Sequence, residues 1–164
     1  MKKSTKGFSL IELLIVVAII LIIAAIAIPN LLRSKIAANQ ASAAQSLRTI
    51  NTSEVAYAST YPQGFSDTLA ELGPPTSGSA TSAAAGLIDS VLSGGSKSGY
   101  NFTYTVGAAN TPTNGVATYN TYTAVAVPVT AGTTGTNYYF TDQTMVIRVN
   151  NSATATASDN PIGG

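Results

Sequence analysis

One acidic side chain stands inside the most apolar stretch of the chain. Residues 8–28 contain two polar residues, Ser9 and Glu12, and residues 13–28 are apolar without interruption. A carboxylate within a membrane-spanning helix costs about 2.5–3.5 kcal/mol on insertion scales, so such a residue usually has a partner and a role. Glu12 therefore needs either a cation at its own depth or a position from which it reaches water.

The backbone itself could supply that cation. No Lys or Arg lies between Lys6 and Arg33, but hydrolysis of the peptide bond after Gly7 would leave an α-amino group on Phe8, one helical turn from Glu12. An ammonium and a carboxylate that neutralise each other can be buried, whereas either alone cannot. The spacing predicts that Glu12 pairs with its own N-terminus or with that of an axially shifted copy, which would set the register of stacked helices. The alternative is that Glu12 snorkels to the membrane interface.

Side chains suited to catalysis or metal binding are scarce. The chain has no Cys and no His, which removes thiolate ligands and the commonest general base. Residues 94–99 resemble a phosphate-binding loop only faintly, because they lack the Gly-Lys-Ser/Thr order. The acidic residues show no metal-ligand spacing, and a net charge of +1 gives no basic surface for nucleic acid. We expect no enzyme activity and no cofactor, metal or nucleotide site.

The apolar run is long enough to cross a membrane as one helix. At ~1.5 Å per residue, residues 8–28 would span ~31 Å, the thickness of a bilayer's hydrocarbon core. Lys2, Lys3 and Lys6 precede the run, which predicts that the N-terminus stays in the cytoplasm. Two interpretations compete with an anchor. One is a secretory signal peptide, although the apolar part of such a signal is only ~7–15 residues; the other is a buried helix of a soluble domain.

The residues around Gly7 resemble a known processing motif. Residues 6–14 read KGFSLIELL and closely resemble the type IV prepilin cleavage and methylation motif. Residues 26–30 read IAIPN and resemble the sequence that follows this motif in type IV pilins and in the pseudopilins of type II secretion. The resemblance covers about the first 60 residues of the chain.

That resemblance implies a processing route and a set of partners. A membrane-embedded prepilin peptidase would cut between Gly7 and Phe8 and N-methylate Phe8, and Glu12 would assist recruitment and docking of the subunit. The precursor would reside in the inner membrane. The mature chain would then join an extracellular pilus on the cell surface as a helical homopolymer, with the help of the pilus assembly machinery.

One long helix is predicted from about Phe8 to about Thr60, because these residues are mostly good helix formers. Pro29 is predicted to kink or locally melt this helix, and the alternative is that the helix ends there. The first half is apolar on all sides. The second half is amphipathic and should pack on a sheet. Gln40 and Glu54 interrupt its apolar stripe, which consists of Ile36, Ala43, Leu47, Ile50 and Tyr57.

The rest of the chain predicts an α+β, pilin-like domain in which the long helix packs on a four-stranded antiparallel sheet. Short helices are expected at 66–73 and 87–92, and a turn at 110–115. Because the chain has no Cys, its C-terminal segment must be held by packing, hydrogen bonds or neighbouring subunits. A tight hairpin at Asp142 and Gln143 should join the last two strands. The four strands are predicted at 100–106, 119–129, 137–141 and 144–149.

These elements divide into three parts: a leader peptide at 1–7, a transmembrane and filament-core helix at 8–30, and a periplasmic or extracellular globular domain at 31–164. The leading interpretation is a structural subunit of a type IV pilus, polymerised through its N-terminal helix. The first alternative is a pseudopilin of a type II secretion system. The second, from a different class, is a single-span membrane-anchored binding domain.

Overall fold

The computed structural model describes residues 8–110 and 117–163. The predicted leader, including Gly7 and the three lysines before it, lies outside the described residues, as does most of the predicted turn at 110–115. The chain forms two compact units, Met1–Lys35 and Ile36–Gly164.

Helix α1 runs from Leu10 to Thr60. It begins two residues after the predicted start at Phe8 and ends at the predicted residue. The helix stops before Pro62 because the residue that precedes a proline avoids the helical region of backbone space. Pro29 lies inside the helix, so the alternative in which α1 ends at this proline does not hold.

The first unit consists of the N-terminal part of α1, and its large apolar side chains are exposed. From Phe8 to Leu32 their exposed fractions range from 43% to 81%. By length and composition α1 could cross a membrane, and its most apolar 18-residue window contains no buried residue. A helix that is apolar on all sides must be surrounded by lipid or by other protein.

The amphipathic part of α1 forms the core of the second unit. Of the predicted stripe, Ala43, Leu47, Ile50 and Tyr57 are fully buried, whereas Ile36 is half-buried. The predicted packing of the helix on an antiparallel sheet is therefore confirmed. The stripe shares one apolar cluster with side chains of the sheet and its connections: Leu69, Leu72, Ile88, Leu92, Tyr100, Phe102, Ala124, Ala126, Tyr139 and Ile147.

The sheet has six strands, so the prediction of four is wrong. The strands of the second unit are β1 Ser96–Lys97, β2 Tyr100–Val106, β3 Ala109–Asn110, β4 Thr118–Tyr119, β5 Tyr122–Pro128, β6 Tyr138–Asp142, β7 Arg148–Asn150 and β8 Asn160–Pro161. The main sheet has the order β1-β2-β5-β6-β7-β8, and all its pairs are antiparallel. Strands β3 and β4 form a separate ribbon. The two added edge strands, β1 and β8, have two residues each, too few to show the alternation on which the prediction rests.

The connection between β6 and β7 covers residues 143–147 and is longer than the predicted hairpin. Asp142 does form the predicted turn, since its carboxylate accepts the Thr144 N–H at 2.9 Å and its carbonyl accepts the Met145 N–H at 2.8 Å. The Met145 carbonyl then accepts a hydrogen bond from the Asn51 side chain at 3.2 Å. This bond to α1 takes the place of strand pairing, which the local sequence could not reveal.

The two predicted short helices are shorter than expected. A 3-10 helix covers Leu69–Leu72, and the residue before it, Thr68, makes no side-chain capping hydrogen bond. Helix α2 covers Ser90–Ser93 and begins at an Asp89 cap whose carboxylate accepts two backbone N–H groups.

The C-terminal segment is held by hydrogen bonds around Asp159. One carboxylate oxygen accepts from the Asn150 side chain at 2.8 Å, and the other accepts the Thr156 N–H at 2.7 Å. The Asp159 carbonyl accepts from Arg148 Nη1 at 2.9 Å. The Thr156 N–H and the Asn150 amide keep the pKa of Asp159 below its ordinary value. These contacts, with the pairing of β7 and β8, tie down a segment that has no disulfide to close it.

We expect Asp159→Ala to lower the thermal unfolding midpoint by a few degrees, because it leaves the Thr156 N–H and the Asn150 amide without their acceptor. Thermal unfolding of the full chain in detergent would measure this change. Asp67→Ala is the matched control, since the Asp67 side chain is exposed and accepts no hydrogen bond from the described residues. Equal unfolding midpoints for the two variants would contradict the role of Asp159 in holding the C-terminal segment.

Candidate assembly site

Glu12 lies in the first turn of α1 and caps it. Its Oε2 accepts the backbone N–H of Ser9 at 2.9 Å. Ser9 precedes the first helical residue, Leu10, and the Ser-x-x-Glu spacing matches the capping box, in which a Glu at the third helical position reaches back to the cap residue. The sequence-based predictions for Glu12 are charge pairing, a position at the membrane interface and a part in docking. They miss this capping role, although the Ser-x-x-Glu spacing indicates it.

The cap directs the Glu12 carboxylate toward the start of the chain. Among the described residues no group donates to Glu12 Oε1, so one oxygen remains for another donor. Phe8 precedes the helix and is 81% exposed. The pairing of Glu12 with a new α-amino group on Phe8 stays a prediction, because Gly7 lies outside the described residues.

The helix dipole makes a carboxylate valuable at this point. The free N–H groups of the first turn carry a partial positive charge, which favours an anion and disfavours a cation nearby. An α-amino group formed at Phe8 would lie at this unfavourable end. Glu12 would then offset the charge of the ammonium as well as that of the helix terminus.

Pro29 lies within the apolar part of α1. Proline has no N–H to donate to the carbonyl four residues earlier, so one intrahelical hydrogen bond is missing at this site. Four residues after Asn30, the Ser34 hydroxyl donates to the Asn30 carbonyl at 3.0 Å. The helix is continuous here, and a kink at Pro29 stays a prediction.

Glu54, which interrupts the predicted apolar stripe, is fully buried in the second unit. Its Oε1 accepts the Ser66 hydroxyl at 2.6 Å, and its Oε2 accepts the Ser66 N–H at 3.0 Å. The Ser66 hydroxyl and carbonyl both lie within hydrogen-bond distance of the Tyr104 hydroxyl. Burial raises the pKa of Glu54, although its hydrogen bonds with Ser66 oppose the shift.

Asn51, one turn before Glu54, is a second buried polar residue of α1. Its side chain donates to Thr141 Oγ1 at 2.9 Å and accepts from the Tyr122 hydroxyl at 3.0 Å. Together, Asn51 and Glu54 hydrogen-bond the helix to the sheet and to the segment that follows the helix. The sequence pattern shows Glu54 as a break in the apolar stripe, and it identifies neither the burial of Asn51 nor the partners of these two residues.

In the other described parts of the second unit, the polar side chains make structural contacts. Among the described residues, no cluster of three or more His, Cys, Asp or Glu could hold a metal ion. Residues 94–99 contain strand β1, and Ser98 and Gly99 form the turn between β1 and β2. The lysine of β1, Lys97, pairs with Asp89 at 2.7 Å.

Comparison with known proteins supports the resemblance seen at the N-terminus. Residues 2–28 match the family described as the prokaryotic N-terminal methylation motif, a range that includes Gly7, Phe8 and Glu12. The chain is also similar to the type IV wide pilus major component PilA4 of Thermus thermophilus, with 62% identity over 37 residues. That match covers 23% of this chain, and the chain spans 28% of the relative's length. No solved structure matches the chain.

The chain therefore carries an N-terminal methylation motif of the kind found in prepilins. Together with the similarity to a pilin over 37 residues, this motif supports the resemblance of the chain to type IV pilins.

We expect Glu54→Gln to change how stability depends on pH. Because the pKa of Glu54 is raised, the native state keeps a proton that the unfolded state releases at the ordinary glutamate pKa. The free energy of unfolding should therefore fall as pH rises from the ordinary to the raised pKa, by up to ~1.4 kcal/mol per pH unit. Glu54→Gln should lack this fall, which urea unfolding at a series of pH values would measure.

Asp67→Asn is the control for this experiment, since Asp67 is an exposed carboxylate. Its pH profile should follow that of the unchanged chain. If Glu54→Gln also follows the unchanged chain, the proton on Glu54 has no part in stability.

Proposed function

We propose that this chain is a structural subunit of a type IV pilus, cut between Gly7 and Phe8 by a prepilin peptidase and then polymerised through α1. The observation that carries the proposal is the exposure of every large apolar side chain from Phe8 to Leu32, a segment that lies mostly within the match to a methylation motif. Its role is structural, and we propose no catalytic activity.

The exposed apolar part of the helix moves from one apolar environment to another. In the precursor, lipid of the inner membrane surrounds residues 8–32. In the filament, the same surface is surrounded by α1 helices of other copies. The mature chain is then displayed at the cell surface.

Glu12 sets the axial position of each copy in this proposal. Apolar surfaces attract each other without fixing an axial register, because the hydrophobic effect is non-directional. A carboxylate that must find a cation at one depth does fix it. Glu12 holds its own helix start through Ser9 and offers its second oxygen to a neighbouring N-terminus.

Two observations favour a pilus subunit over a pseudopilin and over a membrane-anchored binding domain. The curated relative is named as a pilus component, which favours a pilin over a pseudopilin. A simple membrane anchor has no need of an acidic residue in the first turn of its span or of a methylation motif before it. A pseudopilin would remain with the cell envelope, and its loss would block the release of secreted proteins.

Two substitutions of Glu12 separate its charge from its capping bond. Glu12→Gln keeps an oxygen that can accept the Ser9 N–H but loses the charge, and Glu12→Ala loses both. We expect both variants to reach the membrane and both to be nearly absent from sheared surface filaments, because the charge pair is required. Immunoblots of the sheared and membrane fractions would measure this distribution.

Ser9→Ala serves as the control, because it leaves the Glu12 carboxylate and the Ser9 N–H in place. It should assemble. Filaments formed by Glu12→Gln at the level of the unchanged chain would show that Glu12 acts only as a helix cap, and would overturn its proposed role in register.

A further inference from the structure

We propose that Arg33 and Lys35 form a basic collar that binds the phosphate groups of anionic phospholipids on the outer face of the inner membrane. The inference rests on the proposed function, since it assigns a membrane partner to the precursor. It adds a binding surface outside the processing motif, which ends before these two residues.

The position of the collar follows from the length of the apolar segment. Residues 13–32 are uncharged, and a helix of this length spans ~30 Å, which equals the hydrocarbon thickness of a bilayer. Glu12 then lies at one boundary of the hydrocarbon and Arg33 at the other. Lys35 follows within the next turn.

The directions of the two side chains favour contact with headgroups. Side chains of a helix tilt toward its N-terminus, so residues just past a span point back toward the membrane that they leave. Positions 33 and 35 lie on nearly opposite sides of the helix. The two cations therefore reach headgroups on both sides of α1, and long basic side chains at helix ends reach the interface in this way.

The charge of this segment has no internal compensation. Both side chains are exposed, and neither makes an ion pair within the described residues. No acidic residue occurs between Glu12 and Glu54. Basic residues near a span are enriched on the cytoplasmic side, so two of them at the outer boundary are unusual. At that boundary they lie at the depth of the negatively charged headgroups of anionic lipids. A phosphate group matches the guanidinium of Arg33 in charge and in fork geometry.

The collar would hold the precursor at a fixed depth before assembly. Phosphate contacts at the outer boundary and Glu12 at the inner boundary together resist movement of α1 along its axis. Extraction of the precursor into a filament would break its contacts with phosphate. Until then, these contacts would help to keep the precursor in the membrane.

The test uses the purified full chain in detergent with equal amounts of phosphatidylglycerol and phosphatidylcholine, analysed by native mass spectrometry. We expect the chain to retain phosphatidylglycerol preferentially. In the double variant Arg33→Gln/Lys35→Gln that preference should fall by roughly an order of magnitude, because each cation near an anionic membrane surface attracts it separately. The charge-matched control is Arg48→Gln/Lys97→Gln, which changes two basic residues of the second unit and should keep the preference.

Because the measurement is made on single chains, it does not depend on whether a filament forms. Equal lipid retention by the two double variants, or no preference in the unchanged chain, would overturn the collar and leave the pilus proposal standing. If Arg33→Gln/Lys35→Gln abolishes filaments while lipid preference is unchanged, the two cations serve a second copy of the chain instead of lipid.

Discussion

The apolar surface of α1 between Phe8 and Leu32 cannot be left in water, and the rest of the chain is arranged around that constraint. Burial of such a surface is strongly favourable, but it is equally favourable at many axial positions of neighbouring helices. Polar groups at the ends of the segment must therefore supply the positional information. Glu12 stands at its beginning and caps the helix through Ser9. Arg33 and Lys35 stand just past its end, where no acidic residue balances them.

In the second unit, the same helix is held by both apolar and polar contacts. The amphipathic part of α1 buries four residues of its apolar stripe against the sheet, yet it also buries Asn51 and Glu54. Each of these polar groups has defined partners, and a buried polar group without its partner costs about 1–3 kcal/mol. We infer that Asn51 selects one rotation of the helix against the sheet, because a rotated helix would leave it without Thr141 and Tyr122. Glu54 fixes the segment that follows the helix, through Ser66.

The sequence predicted the elements whose patterns are long and missed those that depend on distant partners. Helix α1 and strands β2 and β5 extend over enough residues for their periodicity to be read. Strands β1 and β8 are too short, and residues 144–147 do not pair with β6; the Met145 carbonyl accepts from Asn51 of α1. At the candidate site, Glu12 was recognisable from its apolar surroundings. The contacts of Glu54 were not, because Ser66 and Tyr104 come from other elements.

The most direct test of the account is mass spectrometry of the N-terminal peptide of the chain from sheared extracellular filaments of the native cells. The account predicts a peptide that begins at N-methylated Phe8, since the charge partner of Glu12 exists only after the cut. A trimmed chain found only in the membrane fraction would favour a pseudopilin. A chain that still carries residues 1–7 would contradict the account, because Glu12 would then have no α-amino group to pair with.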